Sequence, residues 1–590
     1  MKHTITALLT LLAILDVAPL KAQIGLPKWM TEEEKHLMEN YLQNIPDRGI
    51  TTPPPFSNIR TAAEWEEVQA LVITWTGGFD NIQSQIVDAA QEECLVIIHC
   101  TDSNSVKATL SGDGVPDVNI DYIEIGYNSI WIRDYGANTC YNNDVEDIFL
   151  VDWIYNRPRP LDDAMPDAYA AFLGIDLYSA TVAPNNIMNT GGNWMSDGAG
   201  KAFASELILE ENDGSGPYAI SYPNHTETEL DALFTDYMGI NEYIKMTVLP
   251  YDDIHHIDMH MKLIDEETLL VGEYPAGTSD GPQIEANLAY VLDNFLTKFG
   301  TPFKVYRIPQ PPSTGGSYPP VASYRTYANQ TFVNNTILLP VYRTEYDTVA
   351  LNILAGILPG YNIVPIDVDN SGENLISNGG AIHCITHTVG VSDPIYISHK
   401  KLENTNDDIN PYLATATIKH KDGISAGNLF YKTDIAGSFT SLPMTNTTGD
   451  DWAASIPAQA IGTTVYYYIE GTAVGGKQVT HPMPAPDGYH QFDVNGIQAS
   501  IAEQIPYDVS DIYPNPANGL TVIPVSANQQ IDCSIVITNL LGEVVEVVYS
   551  GPVAEGKKNF FLDAAAYAPG MYQVVVSCDQ YRICKKLMIK

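Results

Sequence analysis

Six short apolar runs recur between residues 61 and 395, and they limit the possible fold more than any other feature. They are ALVITW (70–75), CLVIIHC (94–100), DIFLVDW (147–153), TLLVGEY (268–274), TILLPVY (336–342) and YNIVPID (361–367). Each reads as a strand. Stretches with helical patterning, such as DNIQSQIVDAAQEE and PQIEANLAYVLDNFLTKF, lie between them. Strand–helix–strand modules repeated over this length predict a large α/β body assembled from similar units. Periodicity alone fits an open sheet and a ring equally well.

The flanks differ in kind. The start, MKHTITALLTLLAILDVAPLKAQ, pairs Lys2 with an apolar stretch from Ile5 to Leu15 and a small residue at Ala22. That pattern resembles a secretory signal peptide over 1–22, cleaved before Gln23. Residues 23–60 form a lead containing one amphipathic helix, with Thr31 as its cap, and then the Pro-rich TTPPPF. After the α/β body (61–395) the helical pattern disappears. Strands separated by turn residues over 400–495 have the spacing of an immunoglobulin-like β-sandwich. The linker NGIQASIAEQIPYD follows, and then a small all-β unit over 511–590. No later stretch reaches the ~18–20 apolar residues of a membrane-spanning helix.

Charge narrows the partners. With 72 acidic residues against 30 basic ones, the net charge is −42. Such a field disfavours nucleic acid and anionic membrane and attracts cationic ligands. The 7 cysteines include no CxxC pair, and their odd number leaves at least one unpaired within the chain. Cys94, Cys100 and Cys140 read as core or disulfide residues, and Cys578 and Cys584 as a possible bridge within the tail. No EF-hand spacing occurs, so neither a metal nor another cofactor is expected.

Three stretches concentrate polar groups at the ends of apolar runs. SIWIRDYG carries Trp131, Arg133 and Asp134. DDIHHIDMHMK places His256 and Asp258 two apart, on one face if the segment is a strand. NGGAIHC presents Cys384 behind a Gly-Gly turn rather than inside an apolar run. A cysteine, a histidine and two carboxylates suit a guanidinium. Carboxylates clamp its edges through paired hydrogen bonds, a thiolate attacks its carbon, and an imidazole protonates the departing nitrogen. A peptide carbonyl would instead call for oxyanion donors.

The ordered set resembles the guanidine-modifying pentein superfamily, within it the bacterial (Porphyromonas-type) peptidylarginine deiminase and agmatine deiminase group. The likeness rests on EWEEVQALVITW (64–75), IWIRDYG (130–136), GGNWMSDG (191–198), HID (256–258), YAN (327–329) and GGAIHC (379–384). It implies a five-bladed α/β propeller with a central site. It also implies Cys384 as nucleophile, His256 as general acid and base, Asp134 and Asp258 as guanidinium ligands, and Trp131 and Asn329 as pocket residues. GGNWMSDG reads as a turn rather than a ligand contact, and His255 and His260 as structural.

The stretch VDWIYNRPRPLDD sets Arg157 and Arg159 in a proline-stiffened loop. It resembles the loop of secreted deiminases in which an arginine pair binds a C-terminal carboxylate, whereas agmatine has no carboxylate and would be repelled. YPNP, GMYQVVV and the basic end KKLMIK resemble a type IX secretion sorting domain. The expectation is an exported or surface-held deiminase that acts on an arginine-containing peptide or protein and engages the type IX secretion machinery. The alternatives are an agmatine deiminase and an inactive surface-binding protein.

Overall fold

The computed structural model describes residues 26–214, 223–495, 506–539, 543–578 and 581–590. The signal peptide read at 1–22 lies outside the described residues.

Between residues 59 and 390 the chain forms five small sheets rather than one open sheet. In the simplest of them an antiparallel hairpin is followed by a helix and a parallel third strand. Met261–Asp265 pairs antiparallel with Thr268–Glu273; the helix Gly281–Asn294 follows; Lys304–Pro309 then pairs parallel with Thr268–Glu273. Thr331–Val333, Thr336–Val341, the helix Thr344–Ile357 and Asn362–Asp367 repeat the pattern. So do Met195–Ser196, Lys201–Ser205, the helix Glu227–Met238 and Glu242–Met246. The first sheet is completed from the far end of this region. His387–Gly390 pairs antiparallel with Val68–Thr74, which pairs parallel with Leu95–Cys100.

Local chemistry explains the elements. The central strands are buried on both faces, so their sequences are apolar runs and not alternating patterns. The helix Glu227–Met238 starts at a Thr226/Glu229 capping box and stops at Gly239, whose left-handed backbone (φ 70°) approaches the Ile59 carbonyl too closely for any side chain. Thr31 caps the helix Glu32–Gln43 in the same way.

Two all-β units follow. In one, Tyr412–Lys419 and Asp451–Ile456 belong to a four-stranded sheet, and Ile424–Lys432 and Thr463–Ala473 to a five-stranded sheet. Alternate residues of both close on a core containing Ile418, Leu429, Val465 and Phe492. The C-terminal unit has its own core, which includes Ile523, Ile535 and Val576. Its bridge joins Cys533 to Cys578, and not Cys578 to Cys584. The register explains the difference: Cys533 lies directly opposite Cys578, whereas Cys584 lies opposite Val575 and is exposed. Cys94, Cys100 and Cys140 are buried and free. Among the described residues no helix is long and apolar enough to cross a membrane.

Candidate active site

Cys384 begins the site. It lies in a single 3-10 turn, His383–Ile385, just before the strand that completes the first sheet, and it is fully buried. The turn behind it must contain glycine. A Cβ on Gly380 would fall 2.6 Å from the Trp131 ring and 2.9 Å from the Cys384 sulfur, so the backbone itself separates Trp131 from the thiol.

Asp134 arrives on the short helix Ile132–Tyr135, for which Trp131 is the N-cap residue. It accepts a hydrogen bond from the Gly192 amide at 3.3 Å. The 191–198 loop is therefore more than the turn its sequence indicated. A methyl on Gly192 would lie 2.3 Å from His256 Nδ1 and 3.0 Å from both Asp134 Oδ1 and Lys28 Nζ.

His256 and Asp258 are not on a strand. His256 precedes a 3-10 turn, Ile257–Met259, and the strand begins only at Met261. The period-two argument that placed them on one face thus fails locally. His255 instead takes a left-handed backbone (φ 58°), a conformation that histidine tolerates better than most residues, and the chain turns there. Both side chains are still buried in the site. His256 Nδ1 lies 3.7 Å from Asp134 Oδ1, and neither ring nitrogen has a hydrogen-bond partner among the described residues. Burial, reinforced by the Lys28 charge, holds the imidazole well below its ordinary pKa, so the ring is neutral at pH 7.

Asp258 is held from two sides. Its Oδ2 accepts from Asn329 Nδ2 at 2.9 Å and faces His383 Nδ1 at 2.8 Å. Its Oδ1 is buried and has no hydrogen-bond partner among the described residues. Burial raises its pKa, but the Lys28 charge and the His383 contact outweigh that and keep the carboxylate ionised. Asp134 shifts the opposite way, raised by burial against the opposing pull of Lys28. Asn329 also reaches the Cys384 sulfur at 3.3 Å.

Three participants were invisible to sequence reasoning. His383 Nε2 faces Glu64 Oε1 at 2.6 Å, so His383 bridges Glu64 and Asp258 and fixes the latter's orientation. Both residues sit inside motifs quoted above, but nothing in the motifs pairs them. Lys28 is the third. Its side chain is completely buried, and its Nζ donates to Cys384 Sγ at 2.8 Å and lies 3.6 Å from Asp134 Oδ1. The charges of Asp134 and Asp258 are the main causes that overcome the burial penalty and keep it an ammonium. The pocket therefore already surrounds a cation. Burial and the two aspartates push the thiol up to about 11 despite Lys28, so the sulfur carries its proton at neutral pH.

Arg157 and Arg159 are buried, not surface charges. Arg157 Nε donates to the Lys28 carbonyl at 3.1 Å. Arg159 forms a two-pronged pair with Glu34, at 2.7 and 3.2 Å, and donates to the Pro27 carbonyl at 2.8 Å.

An α/β body that sets a cysteine, a histidine and two carboxylates around one buried cation defines a class: hydrolases that cleave C–N bonds of amidines. Residues 60–389, more than half of the chain, match the family described as Porphyromonas-type peptidyl-arginine deiminase, and the protein belongs to that family. Residues 511–590 match the secretion system C-terminal sorting domain, which marks a chain for export. A Mycoplasma mycoides subsp. mycoides protein provisionally named agmatine deiminase is 26% identical over 299 residues, covering 46% of this chain and 77% of that one. A Shewanella frigidimarina protein of the same provisional name is 25% identical over 382 residues, covering 59% and 98%. Among solved structures, a provisionally named arginine deiminase from Porphyromonas gingivalis aligns at 19% identity with a TM-score of 0.47, covering 56% of this chain and 98% of that one.

Proposed function

We propose that this chain is an exported protein-arginine deiminase that converts arginine, preferentially at a peptide C-terminus, to citrulline and releases ammonia. The observation that carries this reading is the convergence of Cys384 and Asp134 on a buried side-chain cation, with Asp258 helping to hold its charge. In this reading the five sheets are the blades of a five-bladed α/β propeller over 61–395. Residues 400–495 are an immunoglobulin-like sandwich, and 511–590 are the sorting unit read by the type IX secretion machinery.

The residues divide the work as follows. Asp134 and the unpartnered Oδ1 of Asp258 accept from the guanidinium N–H groups and hold its plane. Cys384 passes its proton to the neutral His256 as its sulfur forms a C–S bond to the guanidinium carbon. His256 gives a proton to one nitrogen, the C–N bond breaks, and ammonia leaves a thiouronium on the sulfur. A water then attacks the same carbon and passes a proton to His256. The C–S bond breaks, and a neutral ureido group leaves. Trp131 walls the pocket, and Asn329 holds Asp258 and the sulfur in place.

Arg157 supports the C-terminal preference. It grips the main-chain carbonyl of the residue whose cation fills the pocket. With arginine there as the last residue of a peptide, that oxygen belongs to the α-carboxylate. A charge-assisted contact of this kind corresponds to about 10–100-fold in kcat/KM. Parallel assays are expected to show that preference for an Arg-ending peptide over agmatine, and Arg157→Ala is expected to erase most of it. A wild-type preference for agmatine would refute the substrate assignment.

A further inference from the structure

Lys28 sits deeper in the site than a structural lysine needs to, and the chain around it is held as a ligand would be. Four main-chain contacts hold residues 26–28 in place. Trp131 Nε1 donates to the Leu26 carbonyl at 2.9 Å, Arg159 to Pro27 at 2.8 Å, and Arg157 to Lys28 at 3.1 Å. The Lys28 amide donates to the Asn378 carbonyl at 2.7 Å. Trp29 packs on Gly379, where a Cβ would lie 3.0 Å from its ring. These are Trp131, Arg157 and Arg159, the residues assigned above to substrate, together with the turn that leads to Cys384. The segment is latched from behind by the Arg159–Glu34 pair and by Met30, Met38 and Leu42, which pack with Ile154 and Met188.

We propose that residues 26–30 are an intramolecular pseudosubstrate: Lys28 fills the guanidinium pocket and keeps the enzyme latent until the segment leaves. Lysine suits this role because its ammonium has no carbon bonded to several nitrogens for sulfur to attack. It satisfies the buried aspartates yet cannot react. The latency rests on the deiminase reading of the site, but the occlusion of Cys384 does not. The competing role for Lys28, a resident activator of the thiol, predicts opposite results.

The test uses the full chain with Lys28→Ala, and Glu34→Ala as a second variant that leaves Lys28 in place but breaks the latch. Alkylation of Cys384 by iodoacetamide, a neutral reagent, is followed by peptide mapping, which separates it from the exposed Cys584. Removing the lysine charge alone would reduce the thiolate fraction and slow alkylation, so acceleration reports access. The expected result is faster alkylation in both variants, by about tenfold or more for Lys28→Ala, as the open state becomes populated. An unchanged or slower rate in both variants overturns the pseudosubstrate. A third variant, Lys28→Arg, makes the occupant reactive. Residue 28 should become citrulline, gaining ~1 Da at a rate independent of protein concentration, and should remain unmodified when Cys384→Ala is added. Faster alkylation of Lys28→Ala without that mass gain would uphold the occlusion and sink the deiminase chemistry.

Discussion

Under conditions where Cys384 is accessible, replacing it with alanine is expected to reduce arginine-dependent ammonia release by at least about 10,000-fold, leaving only background. The fold should survive. Cys384 is a small, buried side chain at a turn, and its loss removes one sulfur from a well-packed region, a cost of about 1 kcal/mol. A coupled ammonia assay and calorimetry on the same preparation separate the two effects. Activity at more than a small fraction of wild type would remove Cys384 from the mechanism. Cys94, Cys100 and Cys140 belong to strand regions or their edges, and the remaining three lie in the C-terminal unit.

Asp258→Asn is expected to be the second most damaging change. One carboxylate oxygen is committed to Asn329 and His383, and the other has no hydrogen-bond partner among the described residues, which leaves it to accept from an incoming guanidinium. The amide keeps the shape, removes the charge and presents N–H groups to a cation. Losing one partner of a buried, hydrogen-bonded charge pair costs about 3–5 kcal/mol, so kcat/KM should fall by about 100- to 5,000-fold. Alkylation of Cys384 by a neutral reagent should not slow, because Asp258 also helps to hold Lys28 over the sulfur. If alkylation slowed in step with activity, the substitution would have collapsed the site, and the clamp would not be what was measured.

The α/β body was legible because buried parallel strands must be apolar throughout, and such runs stand out from the polar segments between them. The residues of the candidate site stood out for a different reason. Cys384, His256, Asp134, Asp258 and Asn329 lie in short motifs whose order is itself informative, and the fold brings them together. What could not be read was anything decided by tertiary contact between distant segments. Lys28 and Cys384 are 356 residues apart, and Glu64 and His383 are 319 apart. No local pattern pairs them. The strand argument at 256–258 failed because a left-handed residue at His255 overrides the period of the sequence. The tail bridge could not be read because two cysteines close in sequence carry no sign of the register that sets Cys533 against Cys578.

The central claim is that sulfur attack and then water convert a peptide's terminal arginine to citrulline. The direct measurement is mass spectrometry of an Arg-ending peptide after incubation with the enzyme in 18O-labelled water, with the released ammonia counted in parallel. One labelled oxygen should replace one nitrogen, a gain of ~3 Da for each ammonia released, with the label in the ureido group. A peptide of unchanged mass, under conditions where Cys384 is shown to be accessible, would contradict the account.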